Sequence, residues 1–239
     1  MIMNYTLFAA FFLLSLCAYG QASRSEAWDQ QAQGNVRLQP KFGYKMRSAD
    51  QKAADDTYIH QTLTQLAYNG DAKAAAVNTI ALGFNFLNQR NLVQAMYRFN
   101  QAYLLDSMNA DIYWGFGAVY LSIGAYQKAL EQYQEGIRHD PKNAHILSDL
   151  GGYYLAQSHS LEGLDDKSSR NYLDSALLSL NQAYRISATD PITLFRLSVC
   201  YCNMNDCSNA WKYYDACAQS DQNPMTEDFT ATIMSRCKR

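Results

Sequence analysis

Six cysteines and four histidines are the side chains of this 239-residue sequence with the most chemistry to offer, and the cysteines are unevenly placed. Cys17 sits in an apolar N-terminal run, while Cys200, Cys202, Cys207, Cys217 and Cys237 crowd the last quarter. A zinc site needs its thiolates to converge on one point. Cys200 and Cys202 are two residues apart, which on a helix turns them about 200° from each other, so they cannot face one metal together. Oxidation is the chemistry left to them. In an exported chain such cysteines imply disulfides, and five of them leave at least one thiol unpaired within the chain. Of His60, His139, His145 and His159, the second falls at a helix end, where an imidazolium suits the negative pole. Asp165 and Asp166 with His159 would be the place for a cation, but exposed acidic pairs are ordinarily just solvated. No His-Glu-x-x-His, Gly-x-Ser-x-Gly, phosphate-binding glycine loop or glycosidase carboxylate pair occurs. The sequence predicts no catalytic centre, no metal and no cofactor.

The elements that carry these residues belong to a globular chain, 48% hydrophobic, 13% aromatic and 18% charged. A net charge of -2 is not the basic footprint that nucleic acid or an anionic membrane demands. Residues 1–20 stand apart. They hold no charged side chain, and the apolar run from Leu7 to Leu16 is too short to span a bilayer, which takes roughly 20 residues. That run matches the core of a secretory signal, with Ala18 and Gly20 as the small residues before a cut at Gln21. Leu16 is too bulky for a lipoprotein signal ending at Cys17. The expectation is export, to the periplasm, the envelope or the medium, with no tight membrane insertion once the signal is gone. Residues 21–49, broken by Gly34, Pro40 and Gly43, read as a polar tether outside the packed structure.

A repeat governs the remainder. Small residues recur at Ala95, Ala129, Ala176 and Ala210, at intervals of 34, 47 and 34. A large apolar residue follows each by four positions (Phe99, Tyr133, Leu180, Tyr214), then another small one (Ala102, Gly136, Ala183, Cys217). Upstream lie Gly83, Gly117, Gly151 and Ser198, each with an aromatic three residues on: Phe86, Tyr120, Tyr154 and Tyr201. This resembles the tetratricopeptide repeat family over residues 76–222. The resemblance implies an all-α fold, a right-handed superhelical solenoid of four helix-turn-helix repeats with a capping helix at each end. The repeats are 76–109, 110–143, 144–190 and 191–222, and the third carries an insertion at about 158–170, a loop between its helices. Ala53–Tyr68, within 50–75, with Ile59, Leu63 and Leu66 at helical spacing, is the N-terminal cap, and 223–239 the C-terminal one. Pro141 ends the second repeat; Ser107 and Gln222 stand where the first and fourth lack that proline.

The family presents the first helix of each repeat along a concave groove that takes a peptide or a partner helix. Carried to this chain, the groove residues are Ile80, Phe84, Leu87, Trp114, Leu121, His145, Leu155 and Phe195, an apolar and aromatic set. Ile80 and Phe84 stand where chaperone adaptors of the family have Lys and Asn, so binding of a C-terminal carboxylate is not expected. Tyr113 takes the interior aromatic position, which turns Trp114 about 100° away and into the groove. In the antiparallel pair that the resemblance implies for the fourth repeat, Cys202 and Cys207 lie near the turn. Cys237 is then placed to bond either Cys202 or Cys207, with Cys217 a buried thiol. The expected function is a non-catalytic scaffold that binds protein or peptide. The alternative is a structural envelope subunit whose groove is filled by its own N-terminal segment.

Overall fold

The protein, seen in a computed structural model, is described at residues 24–65 and 67–238. The expected signal sequence, Cys17 included, and Leu66 lie outside these residues. Among the described residues all regular structure is helical. They fall into two compact units divided between His139 and Asp140. The first holds α1 (24–34), single turns at Val36–Leu38 and Pro40–Tyr44, α2 (Ala49–Leu63), α3 (Ala72–Asn88), α4 (Leu92–Leu105), α5 (Ala110–Ser122) and α6 (Tyr126–His139). The second holds α7 (Ala144–Leu161), α8 (Asp166–Ile186), α9 (Pro191–Asn203), α10 (Cys207–Ala218) and α11 (Glu227–Arg236).

Helices α3 and α4, α5 and α6, α7 and α8, and α9 and α10 pack as hairpins. Seven of these eight helices start at a short polar side chain that accepts the free N–H groups of the first turn, each contributing about 1 kcal/mol. Asp71, Asn91, Asn109, Asn143, Asp165, Asp190 and Asp206 all do this. The turn inside each hairpin passes through a left-handed residue, respectively Arg90, Gly124, Gly163 and Asn205.

Within a hairpin the first helix offers a bare backbone and the second a large side chain. A Cβ on Gly83 would overlap the Phe99 ring, one on Gly117 the Tyr133 ring, and one on Gly151 the Leu180 side chain. Phe99, Tyr133 and Leu180 are each fully buried. The fourth hairpin has Ser198 instead, whose hydroxyl donates to the Ala210 carbonyl across the pair at 2.9 Å. The edge-on contact of Phe84 with Phe99 at 5.0 Å lies within the first hairpin, and that of Phe99 with Phe116 at 6.2 Å carries the packing to the second.

Two expectations are corrected. Residues 24–45 are not an unpacked tether, because Trp28, Ala32, Leu38 and Phe42 are all buried and the two short turns pack on α4. These apolar anchors follow no regular period, so the segment read as polar spacer; it is a strap. Nor is 158–170 a loop. It lengthens both helices of the third hairpin, to 18 and 21 residues, leaving a turn at 162–165. Ser158 and Ser169, both buried, let the extended helices approach closely. The Ser169 hydroxyl donates to the Ser158 carbonyl at 3.0 Å.

The predicted N-terminal cap is shorter as a helix than 50–75, since α2 stops at Leu63 and 72–75 opens α3. Tyr58, Ile59 and Leu63 rest against Ala75, Ala76 and Leu105. At the far end α11 packs on α9 and α10.

Gly117→Ala should destabilise the protein by about 1–3 kcal/mol through overpacking against Tyr133, although alanine is roughly 1 kcal/mol the better helix former. Gly34, whose Cβ position meets nothing within 4 Å, provides the control. Gly34→Ala should be neutral or stabilising, and urea denaturation midpoints compare the two.

Candidate functional site

The expected groove residues separate into three kinds. In the first unit Phe84, Leu87, Trp114 and Leu121 are part-exposed on α3 and α5. Tyr113 is only 2% exposed, its hydroxyl donating to the Ser107 carbonyl at 3.0 Å, so the interior duty falls to it and the neighbouring indole faces elsewhere. Trp114 and Phe84 lie ring on ring, centroids 4.1 Å apart. Val77 and Leu82, also on α3, are exposed. Ile80 is buried, a correction to its place in the groove, since a side chain spent on the core cannot meet a partner.

In the second unit His145 is exposed on α7, but Leu155 is buried within the core. Phe195 packs on that core and edge-on to Phe229 of α11 at 5.3 Å. The apolar character expected of this face is corrected as well. Arg196 of α9 donates to Asp149 of α7 at 2.7 Å and to the Ser148 hydroxyl at 3.0 Å. Thr193, 1% exposed, donates to the same hydroxyl. An ion pair with buried hydroxyls beneath it clasps α7 to α9 where apolar contacts were expected. Sequence reasoning passed over Arg196 and Asp149, although a lone charge inside each of two apolar helices is a signal for a pair.

The strap is held on the second helices of the first unit. Asn100 of α4, 1% exposed, donates to the carbonyls of Arg37 and Gln39 at 2.9 and 3.0 Å and accepts the Phe42 N–H at 3.3 Å. Lys128 of α6 meets Asp29 at 2.6 Å, and Lys41 meets Glu135 of α6 at 2.8 Å. To deliver Lys41 the chain runs through four left-handed residues, Lys41, Phe42, Gly43 and Tyr44, where each side-chain-bearing residue costs about 1–2 kcal/mol. The hydrogen bond from Lys41, against a smaller opposing effect of burial, holds the Glu135 carboxyl below its ordinary 4.5. Burial is the largest influence on Lys41 and lowers it, yet Glu135 and Tyr44 together carry it above 10.5. The pair's contribution is therefore full between these ordinary values. It is lost as pH falls through the depressed Glu135 pKa or rises through the elevated Lys41 one. Beside the pair opens a cleft of about 640 Å³, with Tyr44, Gln132, Glu135 and Arg138 in its walls.

The five described cysteines form one disulfide and three buried thiols. Cys207 and Cys237 are joined, Cα atoms 5.1 Å apart, and Trp211 donates to the Cys237 carbonyl at 2.7 Å. Cys202 lies in the same small core as Cys237. It is a buried free thiol, as are Cys200 and Cys217. Burial pushes the Cys200 thiol up to about 12 and raises the other two, which keeps all three protonated and poorly nucleophilic at neutral pH. Asp165 is committed to capping α8, and Asp166 accepts the Gly163 N–H. Among the described residues no cluster of three or more metal-binding side chains occurs, and no helix is long and apolar enough to cross a membrane.

No family model matches the sequence, and no curated protein does. Among solved structures, a chain reported under a functional characterisation of PilF from Pseudomonas aeruginosa is similar. It has 20% identity and a TM-score of 0.38, and the match covers 69% of this chain and 90% of that one.

Two outcomes test the strap and the terminal cap. Asn100→Ala strips three bonds from the strap and should cost about 2–4 kcal/mol, with faster proteolysis within residues 24–45. Reducing Cys207–Cys237 reopens a loop whose ends are 30 residues apart. That should cost about 3–4 kcal/mol in urea titrations, and Cys207→Ser should match it.

Proposed function

We propose that this chain is an exported, non-catalytic scaffold of the tetratricopeptide type. Its four hairpins and end helices form a superhelical solenoid, and the first helices of the hairpins bind an apolar peptide or partner helix. The observation that carries this reading is the Phe84–Trp114 pair, two large aromatic side chains left part-exposed on the first helices of neighbouring hairpins. Tryptophan is the residue type most enriched among binding anchors, and an apolar face at a solenoid's first helices is a ready site for one. Export is supported by the character of residues 1–20 and by the Cys207–Cys237 bond, which suits an oxidising compartment.

The alternative, a groove filled by the chain's own N-terminal segment, is disfavoured by where the strap is tied. Its hydrogen bonds and ion pairs with Asn100, Lys128 and Glu135 run to α4 and α6, the second helices.

Capture from the exported fraction with the mature chain as bait would identify a partner. Trp114→Ala should then weaken that partner by about 2 kcal/mol or more, with only a small fall in melting temperature. A large fall in melting temperature with capture intact would make Trp114 a core residue and end the groove reading.

A further inference from the structure

Lys41 enters a place built like a receptor for its charge. Its Nζ lies 2.8 Å from the Glu135 carboxylate. Around it are three tyrosine rings, with centroids at 4.4 Å for Tyr44, 5.2 Å for Tyr113 and 6.0 Å for Tyr103. The side chain keeps 10% of its exposure. Ring faces around a cation, closed by a carboxylate, are the arrangement by which proteins select alkylammonium groups.

Ownership of the walls points further. Tyr103, Tyr113 and Glu135 belong to α4, α5 and α6, so the hairpins supply the receptor and the strap brings only Tyr44 with the ligand. The strap reaches it through a run of left-handed residues, a strained conformation of the sort that proteins keep at switch and ligand-clamp positions. The cleft beside the pair gives a second ammonium group a way to Glu135. In its wall Gln132, 6% exposed, keeps a buried carbonyl oxygen with no hydrogen-bond partner, an acceptor left over for an incoming N–H.

We propose that Tyr103, Tyr113 and Glu135 form an alkylammonium-binding site that accepts a lysine side chain from another polypeptide, and that Lys41 occupies it in cis. A competing lysine enters from the cleft and takes Glu135 from Lys41. The left-handed turn can then relax, and the strap loosens from α6. The site is walled by α4, α5 and α6 and does not use the surface at Phe84 and Trp114.

The test uses the full chain with Lys41→Ala, which empties the site. n-Butylammonium chloride should raise the variant's melting temperature by about 2 °C or more beyond the effect of equal potassium chloride. The wild type, whose site is filled, should not respond, and n-butanol should be inert on both. The rescue should vanish in the Lys41→Ala/Glu135→Gln double variant. A synthetic peptide of residues 37–46 should bind the Lys41→Ala chain, and its norleucine-41 analogue at least tenfold more weakly. Lys41→Met, which keeps the packing of the stem, carries the peptide comparison if the alanine variant does not fold. Equal responses of wild type and variant to butylammonium, rescue that survives without Glu135, or equal binding of the two peptides would each overturn the proposal.

Discussion

Everything in the hairpins depends on a missing side chain. At Gly83, Gly117 and Gly151 the first helix presents only backbone, and Phe99, Tyr133 and Leu180 of the second helix fill the space a Cβ would need. Each pairing joins a residue of one helix to a residue of the next, so it sets how closely the two axes approach and their rotation about each other. Once that is set, the face of the first helix turned away from the pair is set too. Tyr113 goes inward, and Trp114, one residue on, does not. The fourth hairpin meets the same demand with another small residue, a serine whose hydroxyl bonds across the gap.

This constraint is also why the hairpins are legible in the sequence. Gly or Ser, a large residue and a small residue recur at fixed offsets because each copy solves the same packing problem locally. An Asn or Asp also heads seven of the eight hairpin helices, where its side chain starts a helix by its own chemistry. The strap was not legible in this way. Its burial depends on Asn100 and Glu135, about 60 and 94 residues away, and left-handed residues at Lys41, Phe42 and Tyr44 are not something a propensity scale anticipates. The insertion misled for a different reason. Its residues are polar, which suggests a loop, yet only the short turn at 162–165 interrupts the helices within it, and Asp165 caps the next helix. At the groove positions, spacing alone could not separate Ile80, which is buried, from Phe84, which is not. That distinction comes from the neighbouring helices.

The two units treat charge differently. In the first, ion pairs tie an N-terminal segment to the second helices, and the first helices keep aromatic and aliphatic side chains at their surface. In the second, charge is spent between first helices, where Arg196 and Asp149 sit over the Ser148 and Thr193 hydroxyls. In a part-buried ion pair of this kind the cost of desolvating the two charges offsets much of their attraction. The face at Phe84 and Trp114 is thus the more apolar of the two, and the face at Arg196 carries a paired charge.

The bond between Cys207 and Cys237 gives the second unit a mechanical property as well. It connects the first residue of α10 to the residue just after α11. A pull applied beyond Cys237 passes through sulfur directly to the head of α10. Helices α10 and α11 both lie inside the covalent ring and carry none of the load. Peeling from that end cannot begin with α11 alone, as it would without the bond. It must begin by drawing α10 away from α9, against the buried contact of Ser198 with Ala210. A backbone cut anywhere between the two cysteines likewise leaves both pieces attached, so the cap can be nicked without being shed.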